Sequence, residues 1–210
     1  MPPKAKITKD MIVETAFQIA REEGADKITV RSIAERLNCS TQPVLYYFAS
    51  IDGIKKAVYE KTDEFHTEYI MQENPACEDP FMEFGLKYIR FAMEERNLFK
   101  LLFQSDVFSG AGILDLLENE GLEPFYAGLQ EEADLSKEEA KEVFEILFIY
   151  VHGYASLFAN NSMCYDEDKI ADGLVKTFYG AIGAPDQSPA YQRSGACWCR
   201  WEFPSGAGPH

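Results

Sequence analysis

A chain of 210 residues can hold one large domain, or a small domain beside a larger one, and an apolar share of 46% is ample for a packed core. The formal net charge of −15 argues, as a bulk property, against a polyanionic partner. Five cysteines without a regular framework and a start, MPPKAKITKD, without a secretory pattern speak against a disulfide-stapled secreted domain and predict a reducing, cytoplasmic setting.

The charge is unevenly placed. Residues 1–60 hold nine Lys/Arg and eight Asp/Glu, a net +1, whereas residues 61–183 hold nine against 25, a net −16. Screening limits the reach of exposed charges to about 8 Å at physiological ionic strength, so the near-neutral N-terminal segment has to be judged by its own residues.

The chain reads as helical almost throughout, with no sustained period-two alternation and no internal repeat. Thr8 is a candidate N-cap, Val13, Ala16, Phe17 and Ala20 form an apolar stripe, and Gly24 stops the first helix. Thr29 caps a second helix whose inward face is Val30, Ile33, Ala34 and Leu37. Asn38-Cys39-Ser40 makes a turn, and Ser40 or Thr41 opens a short helix ending near Phe48. A fourth helix from Ala49-Ser50 directs Ile54, Ala57, Val58 and Phe65 inward.

After a break at Glu73-Asn74-Pro75, Asp79-Pro80 restarts the chain with an N-cap and a proline at the first helical position. Phe84, Tyr88, Phe91, Phe99, Leu102 and Phe103 dominate the next two helices, and Gly110 to Gly112 form a joint. Ser136 and Glu139 make a capping box that opens a long helix to about Asn160. Its segment Val143 to Val151 is apolar around the whole circumference, so one face buries against its own body and another against a second surface. The longest apolar stretch, Val143 to Phe158, is broken by Glu145, His152 and Gly153 and falls short of a membrane span of about 18 residues; no membrane partner is expected. Asp166 to Ile182 is the last helix, with Ile170, Leu174, Phe178 and Ile182 at four-residue steps, ended by Gly183. Residues 184–210, where 10 of 27 residues are Pro, Gly or Ser, read as a disordered or non-native tail.

Over residues 28–58 the chain resembles the TetR family of helix-turn-helix transcriptional repressors. The resemblance rests on Thr29-Val30-Arg31-Ser32-Ile33-Ala34, on Leu37 to Ser40 and on Tyr47-Phe48; Val151-His152-Gly153-Tyr154-Ala155-Ser156-Leu157 is a looser match to a dimerising helix. It implies an all-α homodimer: a DNA-binding domain at 1–50, then an effector-binding and dimerisation domain at 51–183, of which 51–72 is the connecting helix. It further implies release of operator DNA when a small effector binds, and dimer contacts through the helices at about 136–160 and 166–182. Where many members carry Tyr and Lys as phosphate anchors, this chain has Leu45 and Ile51, which predicts a lighter hold on the backbone.

Residue chemistry supplies candidates for each role. Thr29 and Arg31 open the first of the paired helices, where hydroxyl, guanidinium and free backbone N–H groups suit phosphate. Ser40, Thr41, Gln42 and Pro43 begin the second, the end that approaches base edges. There Gln42 could pair bidentately with adenine, and the Pro43 ring could touch a thymine methyl. Tyr46 and Tyr47 suit phosphate and sugar, and Lys55 and Lys56 the flanking backbone. The effector pocket is drawn from Phe84, Tyr88, Phe91, Phe103, Phe125, Tyr126, Phe144 and Phe148, and the effector is expected to be small and largely apolar. His152 is expected to pack at the dimer seam. No nucleophile elbow, phosphate loop or metal-spaced cluster is present, so no catalytic residue, metal site or cofactor is assigned and no enzyme is expected. Cys197 and Cys199 with His210 amount at most to an adventitious metal site, their spacing being nonstandard. The alternative reading is a helical ligand-binding or interaction protein with weak or lost operator affinity.

Overall fold

The computed structural model describes residues 7–72, 80–105 and 120–183. Among them are nine α-helices and no strand, which makes the fold all-α. In chain order they are α1 (Lys9–Glu23), α2 (Val30–Arg36), α3 (Thr41–Tyr47), α4 (Ile51–Met71), α5 (Pro80–Glu94), α6 (Arg96–Phe103), α7 (Glu123–Ala133), α8 (Lys137–Asn160) and α9 (Glu167–Ala181). Single 3₁₀ turns, Ala25–Lys27 and Glu120–Leu122, precede α2 and α7. The expected N-cap Asp79, the joint at Gly110 to Gly112, the break at Glu73-Asn74-Pro75 and the tail 184–210 with its Cys197, Cys199 and His210 lie outside the described residues.

The caps follow the local sequence. Thr8 Oγ1 accepts from the Met11 amide (3.2 Å), and Ser136 Oγ accepts from the Glu139 amide (3.2 Å) while the Glu139 carboxylate accepts from the Ser136 amide (2.8 Å). At the end of α1, Gly24 adopts φ +102°, a conformation that other residues rarely take, and its amide bonds to the Ala20 carbonyl (3.0 Å). α2 closes with a Schellman arrangement: the Cys39 amide reaches the Ala34 carbonyl (3.0 Å) and the Asn38 amide the Glu35 carbonyl (3.1 Å), with Asn38 left-handed at φ +50°. Asn tolerates that conformation better than most residues, which is why a four-residue turn, Leu37 to Ser40, can join α2 to α3.

The core is one cluster whose two regions are joined through α4. Ile12, Phe17, Ile33, Val44, Phe48 and Ile54 are buried where α1, α2, α3 and the first half of α4 meet. Beyond them α5 and α8 pack together, flanked by α6, α7 and α9, over Ile89, Phe91, Leu98, Phe144, Leu147 and Val151. α4 belongs to both. Its Phe65 ring meets Phe17 of α1 (centroids 5.7 Å apart) and Phe91 of α5 (6.1 Å), and Lys61 pairs with Glu14 (3.0 Å). A second bridge joins α1 to the start of α6, where Arg21 Nε donates to Glu95 (2.8 Å) and Asn97 donates to the Arg21 carbonyl (2.9 Å).

α8 is the one described helix whose length and composition would let it cross a membrane, and it is packed against α5, α6, α7 and α9. Its apolar circumference divides as expected into an inner face of Val143, Phe144, Leu147 and Val151, and an exposed one of Ile146, Ile149 and Leu157. α9 departs from expectation. Ile170 and Leu174 are buried within the chain itself, leaving Phe178 and Ile182 only half-buried. His152 is likewise turned into its own body, its Nδ1 within hydrogen-bonding distance of the Tyr88 hydroxyl (2.9 Å) and its ring stacked on Phe148 (5.4 Å).

Candidate nucleic-acid surface and ligand cavity

α3 is seven residues long and has two contrasting sides. Val44 and the following Phe48 are buried, while Thr41, Gln42, Leu45 and Tyr46 point outward, Tyr46 82% exposed and Leu45 52%. Pro43 and Tyr47 are half-buried, and the two tyrosine rings meet edge to face (5.1 Å). Ser40 stands at the N-cap with extended backbone and makes no capping bond through its side chain. Gln42, Leu45 and Tyr46 therefore occupy one exposed face at i, i+3 and i+4 spacing, and Ile51, at the start of α4, packs against the core.

The polar groups around α3 are partly committed within the chain. Thr29 Oγ1 accepts from the Ser32 amide (2.9 Å), and Ser32 Oγ accepts from the Thr29 amide (3.0 Å), so Thr29 is the N-cap of α2. Arg31 pairs with Glu35 one turn later (2.8 Å), and Arg36 is drawn to Glu22 (2.7 Å) and Glu23 of α1. Lys55 and Lys56 are exposed; Lys56 stands 3.9 Å from Glu60, and Lys55 has no ion pair among the described residues. An exposed pair of this kind is weakened by water and salt, so Arg31 can be redirected at little cost.

A cavity of about 600 Å³ lies on the other side of α4. Tyr59, Asp63, His66, Thr67 and Ile70 form its α4 wall; Phe81, Phe84, Gly85 and Tyr88 come from α5, and Leu102 and Phe103 from α6. Met71 of α4, Gly121 and Leu122 ahead of α7, Phe125 of α7, Phe144, Leu147, Phe148 and Val151 of α8, and Leu174 of α9 complete it. Gly85 lets α9 come close, since a Cβ there would stand 3.0 Å from Leu174 and 3.4 Å from Val151. Six of the eight aromatic residues chosen from sequence (Phe84, Tyr88, Phe103, Phe125, Phe144 and Phe148) line the cavity. Phe91 and Tyr126 do not: Phe91 is packed behind it against Phe65 and Tyr69, and Tyr126 against Phe144 and under Lys141.

The α4 wall was missed in sequence, where 51–72 was assigned only a connecting role. Tyr59, Asp63, His66, Thr67 and Ile70 fall at i, i+4, i+7, i+8 and i+11, one helical face of mixed polarity. A mixed face is also what a solvated helix shows, so the pattern alone does not mark a wall. Within it, His66 is ringed by Phe91 (4.7 Å), Phe103 (5.3 Å) and Tyr88 (5.7 Å), and its Nε2 is buried without a hydrogen-bond partner. Burial holds the imidazole neutral, lowering its pKa from 6.5 to about 4. Partial burial, with Glu64 nearby, raises the Asp63 carboxyl above its ordinary value, and burial raises the Tyr88 phenol. Among the described residues no group of three His, Cys, Asp or Glu side chains could hold a metal ion. In comparisons with known proteins, no family model matches this chain and no curated protein matches it significantly.

Proposed function

We propose that this protein is a ligand-responsive transcriptional regulator of the TetR type, acting in the cytoplasm as a repressor. A homodimer would bind a palindromic operator and leave it when a small, largely apolar effector enters the cavity. The observation that carries this reading is the double role of α4. It packs on α1, on which α3 also rests, and it supplies one wall of the cavity. A ligand that prefers a shifted α4 would move α3 with it, a population shift driven by the difference in affinity between two states.

In the DNA-bound state Gln42 would read base edges, with Ser40, Thr41 and Pro43 beside it. Tyr46, Tyr47, Lys55 and Lys56 would hold the flanking backbone, and Arg31 would exchange Glu35 for a phosphate. The exposed strip Ile146, Ile149 and Leu157 on α8 would meet its symmetry mate, with Phe178 and Ile182 of α9 at the margin. Twofold symmetry then sets two copies of α3 about 34 Å apart, one helical turn of DNA.

The deciding experiment is fluorescence anisotropy with DNA from upstream of the protein's own gene and a scrambled control, across a salt series. Preference for the upstream DNA supports the reading, and equal, weak binding to both refutes it. One observation favours the alternative of a helical ligand-binding protein without operator affinity: Arg31 and Arg36 near α3 are already paired to carboxylates of the same chain.

A further inference from the structure

The cavity wall carries an unusual charge balance. Among the described residues its lining includes one carboxylate, Asp63, and no lysine or arginine. Asp63 has no ion-pair partner among the described residues. The surrounding segment 61–183 bears a net charge of −16, so the local potential repels anions and concentrates cations. One helical turn further along the same face stands His66, whose Nε2 is the one buried side-chain polar atom among the described residues without a partner. Residues three apart on a helix are neighbours at roughly 5–6 Å between Cβ atoms, so one small polar group can reach both. Around them Phe84, Tyr88, Phe103, Phe125 and Phe148 present rings, which attract a cation placed over their faces within about 6 Å.

We propose that the cavity takes a lipophilic ammonium. Its aromatic body sits among the phenylalanine rings, one N–H donates to His66 Nε2, and its charge is balanced by Asp63 at the rim. A quaternary ammonium lacks the N–H and leaves His66 unpaired. A carboxylate meets Asp63 and the acidic body and is rejected. The inference builds on the effector reading in saying where the ligand acts, but its test needs no DNA.

Isothermal titration of the full chain with 4-biphenylmethylamine, 4-biphenylmethanol and 4-biphenylcarboxylate isolates the charge on one hydrophobic body. The amine should bind roughly tenfold tighter than the alcohol, as a charge-assisted hydrogen bond outweighs a neutral one, and the carboxylate weakest. Asp63→Asn, on an exposed stretch of helix, should bring amine and alcohol to within about twofold of each other; the ratio is taken on one protein, so a general loss of folding would not imitate it. His66→Phe should weaken the amine and leave the quaternary N,N,N-trimethyl analogue unchanged. An alcohol as tight as the amine, a carboxylate tighter than either, a selectivity that survives Asp63→Asn, or no binding by any of the three overturns the proposal. An amine that binds with this selectivity but leaves the operator complex intact overturns the effector reading and keeps the ligand class.

Discussion

Gly173→Ala perturbs the place where α9 crosses α8. A Cβ at Gly173 would drive into the Tyr150 hydroxyl and stand 3.0 Å from the ring carbon that bears it, against an ordinary contact of about 3.4–4 Å. Tyr150 must therefore withdraw, and its hydroxyl loses the Ile170 carbonyl it donates to at 3.1 Å. The lost hydrogen bond costs about 1 kcal/mol and the overpacking about 1–3 kcal/mol, while alanine in a helix interior returns close to 1 kcal/mol. The net expectation is a destabilisation of about 1–3 kcal/mol. With an m-value near 2 kcal/mol/M this is a fall of about 0.5–1.5 M in the urea midpoint, measured by circular dichroism at one fixed protein concentration because the midpoint of any oligomer would depend on it. Tyr150→Phe removes the hydroxyl that clashes, so the double variant should be more stable than the sum of the two single changes predicts, by about 1 kcal/mol. A neutral or stabilising Gly173→Ala, or strict additivity of the pair, would refute the close-approach argument.

Three further outcomes are expected. His66 is charged more readily in the unfolded chain (pKa 6.5) than in the folded one (about 4), so its contribution is intact above about pH 6.5 and drains away as the pH falls towards 4. That is about 2 kcal/mol by pH 5; His66→Phe should lose correspondingly less stability between pH 7 and 5 in urea titrations, and an unchanged pH slope would count against it. Gln42→Ala should cost about 1–3 kcal/mol of preference for the upstream DNA over scrambled DNA, whereas Lys56→Ala should weaken both alike and make the salt dependence shallower. Gel shifts in which both variants lose affinity uniformly would remove Gln42 from base reading. Ile149 is 54% exposed on the outer strip of α8, and Ile149→Glu should turn a dimer into a monomer by light scattering at micromolar concentration; a wild-type chain that is already monomeric would sink the dimer model.

Local chemistry was readable wherever a side chain serves its own neighbourhood. Thr8, Thr29 and Ser136 cap helices because their hydroxyls sit beside amides that no preceding carbonyl can satisfy, and Gly24 ends α1 because it tolerates φ +102°. The six aromatic residues that line the cavity were legible as a pool, since large rings at helical spacing must bury somewhere. Which rings face the cavity depends on how helices distant in sequence meet. Phe91 turns towards α4 and packs behind the wall, whereas Phe84 and Tyr88, two turns and one turn earlier on α5, reach the wall itself.

The all-helical class, the caps, the α2–α3 turn and the split of α8 into an inner and an outer apolar face were thus determined by the sequence alone, because each rests on interactions within about one helical turn or on a simple excess of apolar surface. Tertiary structure decided the rest. It turned Ile170 and Leu174 of α9 inward rather than towards a partner, folded His152 against Tyr88, and paired Arg31 and Arg36 with carboxylates of the same chain. Above all it made α4 a cavity wall, leaving His66 Nε2 buried and unpartnered opposite rings contributed from residues 81–148. No local pattern encodes that arrangement, because burial of a polar atom is set by what the other helices bring to it.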